Sequence, residues 1–152
     1  MNHRIKTAFL LMILLQAIHS VEEYIFKLYE VFPPMQLIYR NTPELAQAAF
    51  ITFNLLLFLF GLICFFYWVQ PARKRARVVV WIWIVIQMAT VAAHLVWAIV
   101  IGGYNPGLAT APLFVPVIGC LLYWLQRVQC EPPSNKSLDV AQKSDFLKNT
   151  AS

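Results

Sequence analysis

Charge is scarce in this chain: 12% of its 152 residues are Asp, Glu, Lys or Arg, about half the share of a typical soluble domain. So few charges cannot cover a water-facing surface, which excludes an ordinary soluble globular domain. Cysteine is scarcer still. Cys64 and Cys120 lie inside apolar runs and Cys130 lies just beyond one. The three offer neither a disulfide framework nor a CxxC metal site, and the redox compartment stays open. There is no HExxH signature and no paired Glu-x-x-His of the kind that builds di-iron bundles. No internal repeat is evident, which argues against a self-contained carrier built from inverted halves.

What is present is apolar. Hydrophobic residues make up 60% of the chain and aromatics 14%, with a mean hydropathy of +0.63; this is the composition of an integral membrane protein. The net charge of +5 would suggest a nucleic-acid partner in a soluble chain. Here the basic residues stand in short blocks between apolar segments, where they set topology, and no nucleic-acid partner is implied.

Four segments are long and apolar enough to cross a bilayer at about 20 residues per span: about Thr7 to Tyr29, Ala46 to Val69, Val78 to Ile101, and Thr110 to Gln126. The first has the basic start of a secretory signal. Ile18 and Ser20 make a poor cleavage pair, however, and "VEEYIFKLY" continues the helical pattern, so it reads as an uncleaved span. "VFPPMQ", "VQPARKRAR" and "GGYNPG" separate the spans. Pro112 and Pro116 should kink or delay the fourth helix, whose regular part is expected near Val117. Arg4 and Lys6 precede the first span, Arg73, Lys74, Arg75 and Arg77 link the second and third, and Arg127 follows the fourth. Both termini are therefore expected in the cytoplasm. The expected fold is an all-α, four-transmembrane-helix bundle over residues 1–130, followed by a disordered cytoplasmic tail over 131–152 that is too polar to bury itself.

In that topology, at 1.5 Å of rise per residue, His19 lies ~20 Å and His94 ~24 Å from the cytoplasmic ends of their helices, and Asn54 ~12 Å below the outer face. Three helices thus place a polar group in one layer. Glu23 is about 40° from His19 around the helix and Glu22 about 60° away on the other side, so an imidazole stands between two carboxylates. Gln16 extends that face inward. Gln87, Thr90 and His94 form a stripe on the third span, and Gln47, Asn54 and Gly61 one on the second. Singly, each is explained by packing: Asn54 as helix-to-helix glue, Glu22 by reaching the headgroups, a lone histidine by one hydrogen bond. A shared depth and facing direction point instead to a site.

"HSVEEY" resembles the motif of the HXXEE-domain family of small multi-span membrane proteins, and "HLVWAIVIGGYNPG" resembles its second signature, a histidine followed by a Tyr-x-Pro-Gly turn. The resemblance puts His19, Glu22 and Glu23 in the first motif and His94, Tyr104, Pro106 and Gly107 in the second. It implies little about activity, because the family is known chiefly as a domain of unknown function.

The reading from the residues is an enzyme acting on a lipid-like small molecule near the outer leaflet. Its catalytic candidates are His19, Glu22, Glu23, His94, Asn54 and Tyr104. His19, Glu23 and His94 could hold a single divalent metal, or the same groups could act as general acid and base without one. Membrane lipids are the expected surroundings. A non-catalytic partner subunit held by polar glue is the alternative, followed by a small transport or proton-relay protein, which a homo-oligomer would have to complete.

Overall fold

The computed structural model describes residues 1–32 and 42–130. Among them are five α-helices and no strand: α1 His3–Ile25, α2 Leu28–Val31, α3 Pro43–Cys64, α4 Ala76–Ile101 and α5 Phe114–Cys130. A π-helical turn, Phe65–Val69, extends α3, and a 3-10 turn, Ala111–Leu113, leads into α5.

Local chemistry sets the ends. Asn2, in extended conformation, caps α1 by accepting from the Arg4 N–H at 3.2 Å. Gly102 closes α4 in the left-handed conformation, φ 66°, where a side chain would be strained. α5 is not delayed to Val117. Pro112 falls in the 3-10 turn and Pro116 in the first turn of α5, where a missing N–H leaves no hydrogen bond unmade.

The first helix also stops earlier than expected, at Ile25 rather than at the prolines. Lys27 adopts φ 56°, and its ammonium pairs with Glu30 at 3.0 Å in the open. The break turns Leu28 and Tyr29 inward to pack with Phe50 and Trp97, a burial gain that a straight continuation of α1 would forgo. Pro33 and Pro34, and the tail expected over 131–152, lie outside the described residues.

Three helices are long and apolar enough to cross a membrane: α1, α3 with its π turn, and α4. α5 has 17 residues, ~25 Å of rise. α1 is the centre of the bundle. Its Phe9 meets Trp83 edge-on at 6.2 Å, and Phe9, Met12, Ile13, Phe114 and Leu121 share the core. Gly61 allows the approach of α3, since a Cβ there would stand 3.2 Å from Ile13 and from Trp83. The outer faces are as apolar as the inside: Ile99 is 80% and Val100 76% exposed, an arrangement suited to lipid.

Basic residues gather at one end of the bundle. Lys6 donates to the Gln70 carbonyl at 2.5 Å, Arg4 lies 4.3 Å over the Trp124 ring, and Arg73 lies 3.8 Å over Tyr67. Near that end Phe60 and Trp83 stack and join α3 to α4. Further from it a cavity separates the two helices.

Candidate functional site

His19 and Glu23 project from α1 one turn apart, and His94 projects toward them from α4. The imidazole Nε2 atoms lie 3.4 Å (His19) and 3.2 Å (His94) from the same Glu23 oxygen, Oε1. The two rings stand edge to face, 4.9 Å between centroids. All three residues are buried, and one ligand atom from each fits within a span of 4.8 Å.

The outer sides of both rings are tied down, and these ties settle where the protons are. Asn105 donates its Nδ2 to the His94 carbonyl at 2.9 Å, so its Oδ1, 2.8 Å from His94 Nδ1, must accept; His94 carries a proton on Nδ1. The Thr110 hydroxyl gives its single proton to Glu22 Oε2, because a carboxylate can only accept. His19 Nδ1, 2.7 Å from that hydroxyl, must therefore donate to it. With Nδ1 protonated, a neutral imidazole would point an Nε2 lone pair at the Glu23 carboxylate and an imidazolium would point an N–H there. His19 Nε2 is fully buried and has no hydrogen-bond partner. Two lone pairs and an anionic oxygen repel unless a cation or a proton lies among them.

Glu22 faces away from this cluster. Its Oε1 accepts from the Tyr104 hydroxyl at 2.6 Å, the Gly107 N–H at 3.2 Å and the Ala109 N–H at 3.1 Å. Its Oε2 accepts from the Thr110 N–H at 2.9 Å and from the Thr110 hydroxyl. Five donors therefore hold one carboxylate inside the 104–110 loop. Burial first, and then the hydrogen bond and charge of Glu22, push the Tyr104 hydroxyl up from 10.0 to about 12, so it stays a donor at any physiological pH. Tyr104 and Glu22 bond to each other, and Glu22 stands one Thr110 hydroxyl from His19; neither lines the cavity.

Asn54 does line the cavity. Its Oδ1 accepts from Ser20 at 2.7 Å, and its Nδ2 donates to the Phe50 carbonyl at 3.1 Å. Ser20 in turn accepts from Gln16 at 3.2 Å, and Gln16 accepts from Gln87 at 2.8 Å. A line of polar side chains thus runs from the bundle core to α3, next to the histidines but not bonded to them. The cavity measures about 820 Å³ and has His19, Glu23 and His94 in one wall, with Phe50, Phe53 and Trp97 among the others.

The spacing His19-x-x-Glu22-Glu23 therefore has a mechanical meaning, with one glutamate turned to the cavity and the other to the loop. The profile of the family described as "Protein of unknown function with HXXEE motif" matches residues 10–121. The chain belongs to the HXXEE family. No curated protein and no solved structure matches it.

In this HXXEE protein several residues that hold the site were not among the sequence-read candidates: Asn105, Thr110 and Ser20. Asn105 is the variable position of the Tyr-x-Pro-Gly turn, and Thr110 reads as the start of a span. Gly107 reads as a turn glycine, yet its φ of 93° and its place against both rings make it part of the site: a Cβ there would stand 2.5 Å from His94 Cε1 and 2.8 Å from His19 Cε1.

The donor set suits a single divalent cation. Ligand atoms about 2.0–2.1 Å from a tetrahedral zinc stand roughly 3.3–3.4 Å from one another; the two N···O separations here are 3.2 and 3.4 Å, and the three ligand atoms together lie within 4.8 Å, so the two imidazoles would close slightly on a bound ion. The Nδ1 ties to Asn105 and Thr110 are of the kind that orients imidazoles in metal sites.

Proposed function

We propose that this protein is a multi-pass integral-membrane enzyme in which His19, Glu23 and His94 hold one divalent metal at the inner wall of a lipid-accessible cavity. The observation that carries the reading is the pair of imidazoles, each tied through Nδ1, that bring two Nε2 atoms to one Glu23 oxygen. Three protein ligands are the number found in catalytic zinc sites, where a further position stays open to substrate or water. The metal would supply a Lewis acid for a carbonyl or hydroxyl oxygen.

The chain's own residues do the rest. Thr110 and Asn105 hold the rings in one tautomer, and Glu22, reaching His19 through Thr110, favours that tautomer electrostatically. Tyr104 and Glu22 act as positioning residues that fasten the loop over the site. Asn54 lines the cavity and presents a polar edge to a substrate oxygen.

In this reading α5 is a fourth, shorter span. The loop from Gly102 to Thr110 dips back to reach Glu22 and the histidines, so α5 begins below the end of α4 and needs fewer residues to return. The basic end faces the cytoplasm with both termini, and residues 1–130 are the membrane domain. Thiol labelling of Arg75→Cys and Asn135→Cys should then occur from the same face of the membrane; labelling from opposite faces would reject the topology. The site itself is tested by elemental analysis of detergent-purified full-length protein, with about one equivalent of divalent metal per chain expected. Full activity in chelator with no bound metal would move the chemistry to general acid–base transfer by the same groups.

A further inference from the structure

The cavity and its walls also bear on the substrate. Phe53 on α3 and Ala93 on α4 both line the cavity and are both exposed on the outside of the bundle. A residue does both only at an opening. Phe32, just after α2, also lines the cavity and is exposed, so the mouth lies between α3 and α4 with Phe32 at its edge, on faces whose neighbours, such as Leu56 at 60% and Val96 at 60% exposure, are apolar. Such a mouth opens sideways, toward acyl chains rather than toward water.

The described part of the lining also disfavours an ionised head group. Among the described residues, no Lys or Arg lines the cavity. Phosphate recognition relies on such cations, and an ionised head without a partner loses several kcal/mol on desolvation. One divalent metal beside the Glu23 carboxylate leaves a single positive charge, enough to polarise a neutral oxygen. The volume of about 820 Å³ falls within the roughly 300–1,000 Å³ of pockets that enclose one small molecule.

We infer that the cavity takes an uncharged, oxygen-headed lipid, with one chain or one fused ring system, drawn sideways from the membrane between α3 and α4 so that its oxygen meets the His19–Glu23–His94 cluster. The inference rests on the reading of that cluster as the reactive end of the cavity.

The test uses full-length protein in phosphatidylcholine vesicles and two photoreactive probes: a long-chain fatty alcohol carrying a mid-chain diazirine, and the phosphate monoester of the same chain. The alcohol should label the segments around Phe53 and Ala93 at least tenfold more than the phosphate. Ala93→Trp, which fills the mouth, should cut that labelling at least tenfold, and Ala49→Phe in the α3 wall should do the same, so a fold failure in one variant leaves the other decisive. Equal labelling by both heads, or labelling unchanged in both filling variants, would overturn the inference. Metal content measured on the same samples separates the two ideas. Protein that holds metal but shows no preference for the alcohol rejects the substrate class alone, whereas preferential labelling without metal rejects the metal centre and leaves the neutral-lipid site standing.

Discussion

Glu23→Gln is expected to leave the bundle folded and to empty the proposed metal site. The substitution keeps the length and shape of the side chain but removes the only anionic ligand, and neutral Gln cannot balance a divalent cation in so buried a place. Loss of an outer-shell contact alone typically costs about 10–100-fold in metal affinity, so loss of this carboxylate should cost at least that much. Stability should change little, within about 1 kcal/mol, because the new amide can hydrogen-bond to the Nε2 atoms that face Glu23. His94→Gln should behave alike. Thr110→Val, which removes the hydroxyl between His19 and Glu22 while keeping the shape, should weaken metal binding by roughly 10–100-fold without emptying the site. Elemental analysis and thermal melts in detergent read all three. Metal retained in Glu23→Gln would reject the ligand assignment. Wild-type activity in both Glu23→Gln and His94→Gln would put the partner-subunit reading ahead, since polar glue tolerates such changes.

Gly107→Ala is the substitution expected to harm the fold most for its size. One methyl would enter between two buried rings, 2.5 Å from His94 Cε1 and 2.8 Å from His19 Cε1, at a backbone φ of 93°. Neither ring is free to yield, since each is held through Nδ1. Strained backbone and overpacking together are worth about 2–5 kcal/mol. Gly103→Ala is the matched control: a Cβ there meets nothing within 4 Å, and a change within about 0.5 kcal/mol is expected. Indistinguishable melting of the two variants would show that the loop is not seated on the histidines as described.

How far the site was legible turns on the difference between contacts along one helix and contacts across the chain. Residue spacing alone sets His19 and Glu23 one helical turn apart, and hydropathy with a fixed rise per residue puts His94 and Asn54 near the same depth. The three apolar helices that could cross a membrane follow from the same local rules. Spacing also places His19 between its two glutamates, an arrangement that the structure keeps in altered form: Nε2 faces Glu23 directly, whereas Nδ1 reaches Glu22 through Thr110.

Tertiary structure alone decided what each glutamate does. Glu22 and Glu23 lie about 100° apart on α1 and so must face different neighbours, but which neighbours depends on a loop more than eighty residues away. Three of the five donors to Glu22 are backbone N–H groups, which every non-proline residue carries and no residue type announces. The break at Lys27 belongs to the same class, because the burial of Leu28 and Tyr29 against Phe50 and Trp97 outweighs the local preference to continue α1. The tautomers depend on it as well. A histidine in a sequence is one residue with two nitrogens, and only Asn105 and Thr110, brought in by the returning loop, determine which nitrogen keeps its proton and which is left to bind.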